Sequence, residues 1–171
     1  MKKLPLIFFQ RKTLVIAKDL IGKHLVRSID GNIIREMITE TEAYIGPHDL
    51  ASHSAKGRTR RTEVMYSKGG AIYVYLIYGL HNMLNIVTEG ENFPSAILIR
   101  STASTTGPGR VAKQFKIDKN LNGKMLGLKT GLWIEEGETI SPKGIFKTPR
   151  VGVDYAGEIW SKKLFRFLLK K

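Results

Sequence analysis

The chain has 171 residues, 42% hydrophobic and 25% charged, which suits one packed core, leaves too little for two full-sized domains and argues against wholesale disorder. Its 28 Lys and Arg against 15 Asp and Glu leave a net charge of +13, which favours a polyanionic partner, nucleic acid first. There is no cysteine, so disulfide frameworks, thiolate metal sites, iron–sulfur clusters and cysteine nucleophiles are excluded.

Met1 to Phe9 opens like a secretory signal, but the apolar stretch stops at Gln10-Arg11-Lys12 and no small-residue cleavage site follows. The segment is expected to be an N-terminal packing arm. Thr13 to Gly22 has a Thr cap, apolar residues at helical spacing and a terminal Gly, which predicts a short helix. Strands are expected over His24–Arg27, Ile33–Tyr44 and Ala71–Ile77. Asn82–Thr88 should pair with the last of these across the turn Tyr78-Gly79-Leu80-His81, and Ala96–Arg100 gives another strand. Ser101 to Gly109 reads as a loop of turn formers. A helix begins at Val111–Phe115, and strands at Leu132–Glu135 and Arg150–Val153 close the series. Hairpin-length connections outnumber helical crossovers, so residues 1–171 are expected to form one α+β domain, a curved, largely antiparallel sheet flanked by helices. The longest apolar region, Ala71 to Val87, holds three tyrosines, a glycine, a histidine and two asparagines. It cannot pass for a spanning helix, and a soluble, cytoplasmic protein is expected.

The charge is uneven, +2 over residues 1–50, +6 over 51–120 and +5 over 121–171. Along Ile33–Tyr44, alternation puts Glu40, Glu42 and Tyr44 on one face. Two readings fit: an edge strand with a solvated acidic face, or a carboxylate that activates water as a general base. His48, Asp49 and His53 match no standard zinc spacing, so no metal site is assigned. The cluster Lys56-Gly57-Arg58-Thr59-Arg60-Arg61 suits phosphate contacts, or is simply a solvated loop. Tyr73 and Tyr75 share a strand face and can belong to the core. Tyr78 falls at the hairpin tip, where a large aromatic suits a wedge between base steps. Gly107-Pro108-Gly109-Arg110, leading into a helix, offers backbone N–H groups to a phosphate or is an ordinary loop. Arg100 ends the apolar strand Ala96-Ile97-Leu98-Ile99, so it should be partly buried and need an acidic or anionic partner, for which Glu42 is a candidate.

Taken together, these residues resemble the alkyladenine (3-methyladenine, alkylpurine) DNA glycosylase family, from about Lys18 to Phe167. The resemblance rests on Leu20-Ile21-Gly22-Lys23, Glu40-Thr41-Glu42-Ala43-Tyr44, Asp49-Leu50-Ala51-Ser52-His53, Tyr73-Val74-Tyr75-Leu76-Ile77-Tyr78-Gly79, Asn85, Leu98-Ile99-Arg100, Gly107-Pro108-Gly109-Arg110 and Pro149-Arg150-Val151-Gly152-Val153. Tyr155-Ala156-Gly157-Glu158 and Arg166-Phe167 fit as well. The resemblance implies a monofunctional, cofactor-free enzyme of base excision repair acting on double-stranded DNA with damaged purines. Glu42 would activate the attacking water, which Arg100 and a backbone carbonyl, that of Val153, would help to hold. Tyr44, His53 and Tyr75 would line a pocket for an extruded base, Asn85 would crowd the exocyclic edge of guanine, and Tyr78 would fill the gap in the duplex. Arg58, Arg60, Arg61, Gly109 and Arg110 would contact phosphates. A monomer and a compact, bacterial-type chain without a targeting segment are expected.

The chain departs from the family where Ala-Leu-Glu-Pro commonly follows the arginine; here Ser101-Thr102-Ala103-Ser104 stands instead, so some support for Arg100 is expected to be lost or replaced and the rim of the site to differ. The competing reading is a non-catalytic, basic RNA-binding module, which net charge and aromatics would serve equally. A nuclease is disfavoured because no carboxylate cluster with two-metal spacing is evident.

Overall fold

The computed structural model describes residues 1–170. Its frame is an antiparallel sheet: β1 (His24–Ile29), β2 (Asn32–Ile45), β3 (Ile72–Ile77), β4 (His81–Val87), β5 (Ser95–Thr102), β6 (Leu132–Glu135), β7 (Ile145–Thr148) and β8 (Arg166–Leu169). The strands run in the order β3-β4-β5-β2-β1-β6, with β8 paired to β2 and β7 to β8. Helices α1 (Thr13–Asp19), α2 (Pro108–Gln114) and α3 (Gly157–Ser161) complete an α+β fold. None of the described helices is long and apolar enough to cross a membrane.

β2 organises the sheet. Its first half pairs with β1 and its second half lies between β5 and β8, so the edge-strand reading of Glu40 and Glu42 is corrected. Two register shifts punctuate the β2–β5 pairing, one between Ile38 and Glu40, the other between Glu40 and Thr41. Ile38 pairs with Thr102, Glu40 with Ser101 and Thr41 with Ile99. Thr39 on β2 and Arg100 on β5 are therefore the extra residues of two compensating bulges, which bend the strands and re-aim their side chains.

The two faces of the sheet have different work. Ile72, Val74, Leu84, Ile86, Ile97, Ile99 and Ala43 belong to the main buried cluster, together with Ile16 and Ala17 of α1 and Val111, Ala112 and Phe115 around α2. Alternation sends their neighbours to the opposite face. Across that face the register gives one row of directly opposed residues: Tyr73, Asn85, Leu98, Glu42 and Arg166.

Several local expectations are corrected. Thr13 is the first helical residue rather than the cap: its N–H and hydroxyl both donate to Glu89 Oε1, at 3.1 and 2.5 Å. A distant carboxylate thus serves the α1 N-terminus. Arg150–Val153 is not a strand but a turn, because Arg150 is drawn inward by Asp49. The strands β7 and β8 and the helix α3 were not anticipated; each spans five residues or fewer. The N-terminal segment does pack as an arm, with Leu4 N donating to Ile134 O at 2.8 Å and Phe9 buried.

Candidate active site

Glu42 has no exposed surface, yet it is well supplied with donors. Tyr44 Oη donates to Oε2 at 2.9 Å, Arg100 Nη1 to the same oxygen at 3.3 Å, and Val151 N to Oε1 at 2.8 Å. Three donors around one carboxyl group suit its ionised, acceptor-only form. The Glu42 and Arg100 pairing expected from residue type is present, but Arg100 has a second acid. Its Nε donates to Glu40 Oε1 at 3.0 Å, and Glu40 also accepts from Ser101 Oγ and from Arg166 Nε at 2.5 and 2.6 Å. The bulge explains how the consecutive residues Arg100 and Ser101 both reach one carboxylate. Burial pushes the Glu40 carboxyl up, but the hydrogen bonds from Ser101 and Arg166 and the two guanidinium charges outweigh it and leave it lowered. Ser101, the first residue to depart from the common family pattern, thus takes part in supporting Arg100.

A second buried ion pair fixes the strap over Glu42. Arg150 Nη1 and Nη2 meet Asp49 Oδ2 and Oδ1 at 2.6 and 2.9 Å, with both side chains fully buried. Arg150 also donates to Ala43 O at 2.9 Å, and its guanidinium lies 4.7 Å from the Tyr44 ring centre and 5.3 Å from that of Phe165. The next residue is Val151, whose N–H caps Glu42. Gly152 follows at φ +71°, a left-handed conformation suited to glycine. Val153 is buried and its carbonyl accepts from Ala156 N at 2.9 Å. In this structure the strap therefore touches Glu42 through Val151 rather than Val153.

Beside the carboxylate stands an aromatic wall. The ring centres of His53 and Tyr75 are 4.5 Å apart and nearly perpendicular, those of Tyr73 and Tyr75 are 5.4 Å apart, and His53 Nδ1 shares a 3.1 Å hydrogen bond with Tyr73 Oη. Burial, followed by the charges of Arg61 and Lys56, holds the His53 imidazole down to about 4. Burial also raises the phenols of Tyr44, Tyr73 and Tyr75, that of Tyr73 to about 12. This wall is therefore neutral at ordinary pH. Asn85 is buried, with its amide nitrogen donating to the carbonyls of Tyr73 and Met83 at 3.3 Å. It sits two strands from Glu42, roughly 10 Å across the sheet, with Leu98 between them.

Tyr78 occupies the β3–β4 hairpin tip with 90% of its surface exposed. Tyr78 and Gly79 have φ of +51° and +69°, the signature of a type I′ turn. Such a conformation is uncommon for a bulky residue, and strain of this sort concentrates at functional positions. Gly109 lies against the hairpin base: a Cβ there would come within 3.2 Å of His81 Cβ. Arg110 beside it is exposed.

The basic cluster divides. Arg60 is exposed. Arg58 pairs with Glu63 at 2.7 Å and lies over Tyr66, although such an exposed pair is weak enough to exchange for a phosphate. Arg61 turns back toward the wall, its guanidinium 5.5 Å from the Tyr75 ring centre. The possible metal ligands are engaged elsewhere: Asp49 with Arg150, His53 with Tyr73, and His48 against Phe93 and Trp160. Sequence reasoning missed Val151, Arg166 and the Asp49–Arg150 pair. The only sequence signal of the two arginines is their place in the Pro149–Val153 and Arg166-Phe167 motifs.

A buried carboxylate and a neutral aromatic wall share one face of the sheet, and an exposed tyrosine stands at the tip of the β3–β4 hairpin. Comparison with known sequences bears on the family of the chain. The profile of the methylpurine-DNA glycosylase family matches residues 7–106 and 101–171. A protein of Legionella pneumophila (strain Corby) named "Putative 3-methyladenine DNA glycosylase" is 44% identical over 99% of this chain and 96% of its own. Proteins of the same name from Myxococcus xanthus and Methanocella arvoryzae are 41% and 40% identical, covering 99% and 92% of this chain and 91% and 88% of theirs. With a family profile matching almost the whole chain and near full-length similarity to these relatives, this chain belongs to the methylpurine-DNA glycosylase family.

Proposed function

We propose that the protein flips alkylated or deaminated purines out of duplex DNA and hydrolyses their N-glycosidic bond, leaving an abasic site and an uncut strand. The observation that carries this reading is Glu42, buried among three donors and sharing its sheet face with the aromatic wall. A plain binding module has no use for such a carboxylate.

In the reaction, Tyr78 enters the stack and takes the space of the extruded nucleotide. The base lies against Tyr44, His53 and Tyr75, with Asn85 set against the exocyclic amino group of guanine. Electron-rich rings favour a cationic alkylated purine, and the same positive charge weakens its glycosidic bond. Glu42 takes a proton from water as the oxygen forms its bond to C1′. The C1′–N bond breaks and its electron pair leaves with the base, so an alkylated purine departs neutral. The carboxylate also stabilises the positive charge that develops on the sugar. Arg100 orients the water, and the backbone of the Val151–Val153 strap supplies a further ligand; Val153 O keeps a lone pair beyond its bond to Ala156 N. Arg58, Arg60, Arg61, Gly109 and Arg110 serve as phosphate contacts, with Arg61 also bracing Tyr75.

The test is release of free base from methylated duplex DNA in EDTA by wild type and Glu42→Gln. Wild type should liberate 3-methyladenine, and the variant should bind the same DNA without releasing it. Equal release by both would remove Glu42 from the chemistry. Nucleic-acid binding with no release by either would favour the binding module.

A further inference from the structure

The four charged groups at the centre of the site are not used equally. Glu40 is satisfied at both oxygens by Ser101, Arg100 and Arg166, and Arg100 divides its nitrogens between Glu40 and Glu42. Arg166 is anchored only through Nε, 2.6 Å from Glu40 Oε1. Its two terminal nitrogens have no protein partner among the described residues, nor are they among the buried polar atoms lacking a hydrogen bond. With a quarter of the side chain exposed, they face solvent.

The register fixes where this open fork sits. Arg166 stands directly opposite Glu42 in the β2–β8 pairing, so their Cβ atoms share a face about 5 Å apart. A guanidinium pinned at Nε with its outer N–H groups free is a planar two-donor fork, the shape that matches phosphate oxygens. Neutralising Glu40 does not require it, because Arg100 already pairs with that acid; the two arginines together balance Glu40 and Glu42. An added anion would therefore meet a locally neutral group of four rather than an excess of carboxylate.

Resting on the glycosylase reading, we infer that Arg166 is a DNA-phosphate ligand whose outer nitrogens grip one of the two phosphates flanking the flipped nucleotide and so anchor its sugar over Glu42. A deoxyribose placed there carries a phosphate on either side, and the fork lies next to the carboxylate that the sugar must meet. The bound phosphate also contributes negative charge near the sugar where positive charge develops.

The experiment uses the full chain and a labelled duplex containing one tetrahydrofuran abasic analogue. The phosphates 5′ and 3′ of the analogue are replaced, one at a time, by neutral methylphosphonate. One replacement should weaken wild-type binding about tenfold. In Arg166→Gln the same replacement should cost less than about twofold, and the slope of log Kd against log salt should fall by about one. Arg166→Lys keeps the ion pair with Glu40 and tests the geometry if the glutamine variant is unstable; its penalty should shrink to about threefold because a point charge replaces the fork. Wild-type indifference to both replacements, or undiminished sensitivity in the variants, overturns the assignment. Failure of the underlying reading is distinguishable: the wild type would then release no 3-methyladenine and show no preference for the analogue over plain duplex.

Discussion

Replacing Arg150 should test the strap more severely than any surface substitution. The Asp49–Arg150 pair is fully buried, so Arg150→Gln strips a buried carboxylate of its counter-charge. Asp49 would retain only the N–H groups of Ile45 and Ala51, at 3.0 and 3.1 Å. The variant also loses the bond to Ala43 O and the guanidinium seated against Tyr44 and Phe165. Removing one partner of a buried pair costs about 3–5 kcal/mol. At about 2 cal/mol/K of unfolding entropy per residue, that lowers Tm by roughly 8–14 °C for a chain of 171 residues. Guanidinium titration followed by tryptophan fluorescence reads the loss, helped by Trp160, whose carbonyl accepts from Arg150 Nη2 at 3.4 Å. The Asp49→Asn variant and the double variant complete a cycle, in which the double should be more stable than additivity predicts by about 2 kcal/mol or more. Base release well below Tm should also slow in Arg150→Gln, because Val151 N no longer holds Glu42 in register. A loss under about 1 kcal/mol, or strict additivity, would refute the reasoning.

The folded chain resists the proton on His53, so the unfolded chain takes it up first as pH falls. Stability should therefore decline between about 6.5 and about 4, and above that window His53 should contribute no pH dependence. An NMR titration of its ring should have a midpoint near 4; one above 6 would contradict its burial. Tyr78→Gly should raise stability by about 1 kcal/mol by relieving a positive φ, while reducing release from duplex far more than from single-stranded DNA. Equal losses on the two substrates would make Tyr78 a structural residue. Binding to undamaged duplex should weaken by about 10³-fold or more between 50 and 200 mM salt if six or more phosphates are engaged. A flat response would be incompatible with a DNA-binding role for the +13 charge.

Much of the frame was legible because period-two patterning is unambiguous where one face is buried. Leu132–Glu135 is placed to the residue, and the hairpin around Tyr78 to within one. The pairing of Arg100 with Glu42 followed from a cation ending an apolar strand. Its larger share in Glu40 did not, because a bulge breaks the alternation that sequence reading assumes. Asp49 and Arg150 lie 101 residues apart, and no local pattern announces a contact at that range. Arg150–Val153 looked like a strand because Val-Gly-Val suits one; the buried charge before it decides otherwise. The strand β7 hides for a different reason: Phe146 and Lys147 are both exposed, leaving little patterning to detect.

The paired bulges make the centre of this sheet sensitive to parity. Adding a single residue between Met37 and Glu42 would turn Glu42 toward the apolar side beside α1 and bring Thr41 into its place, and removing one would put Ala43 there instead. Adding two would restore the alternation. Evolution can therefore vary the side chains of this segment more readily than its length, and length can change only in even steps or through a compensating change on β5. Homologous chains should respect that arithmetic even where their residues differ.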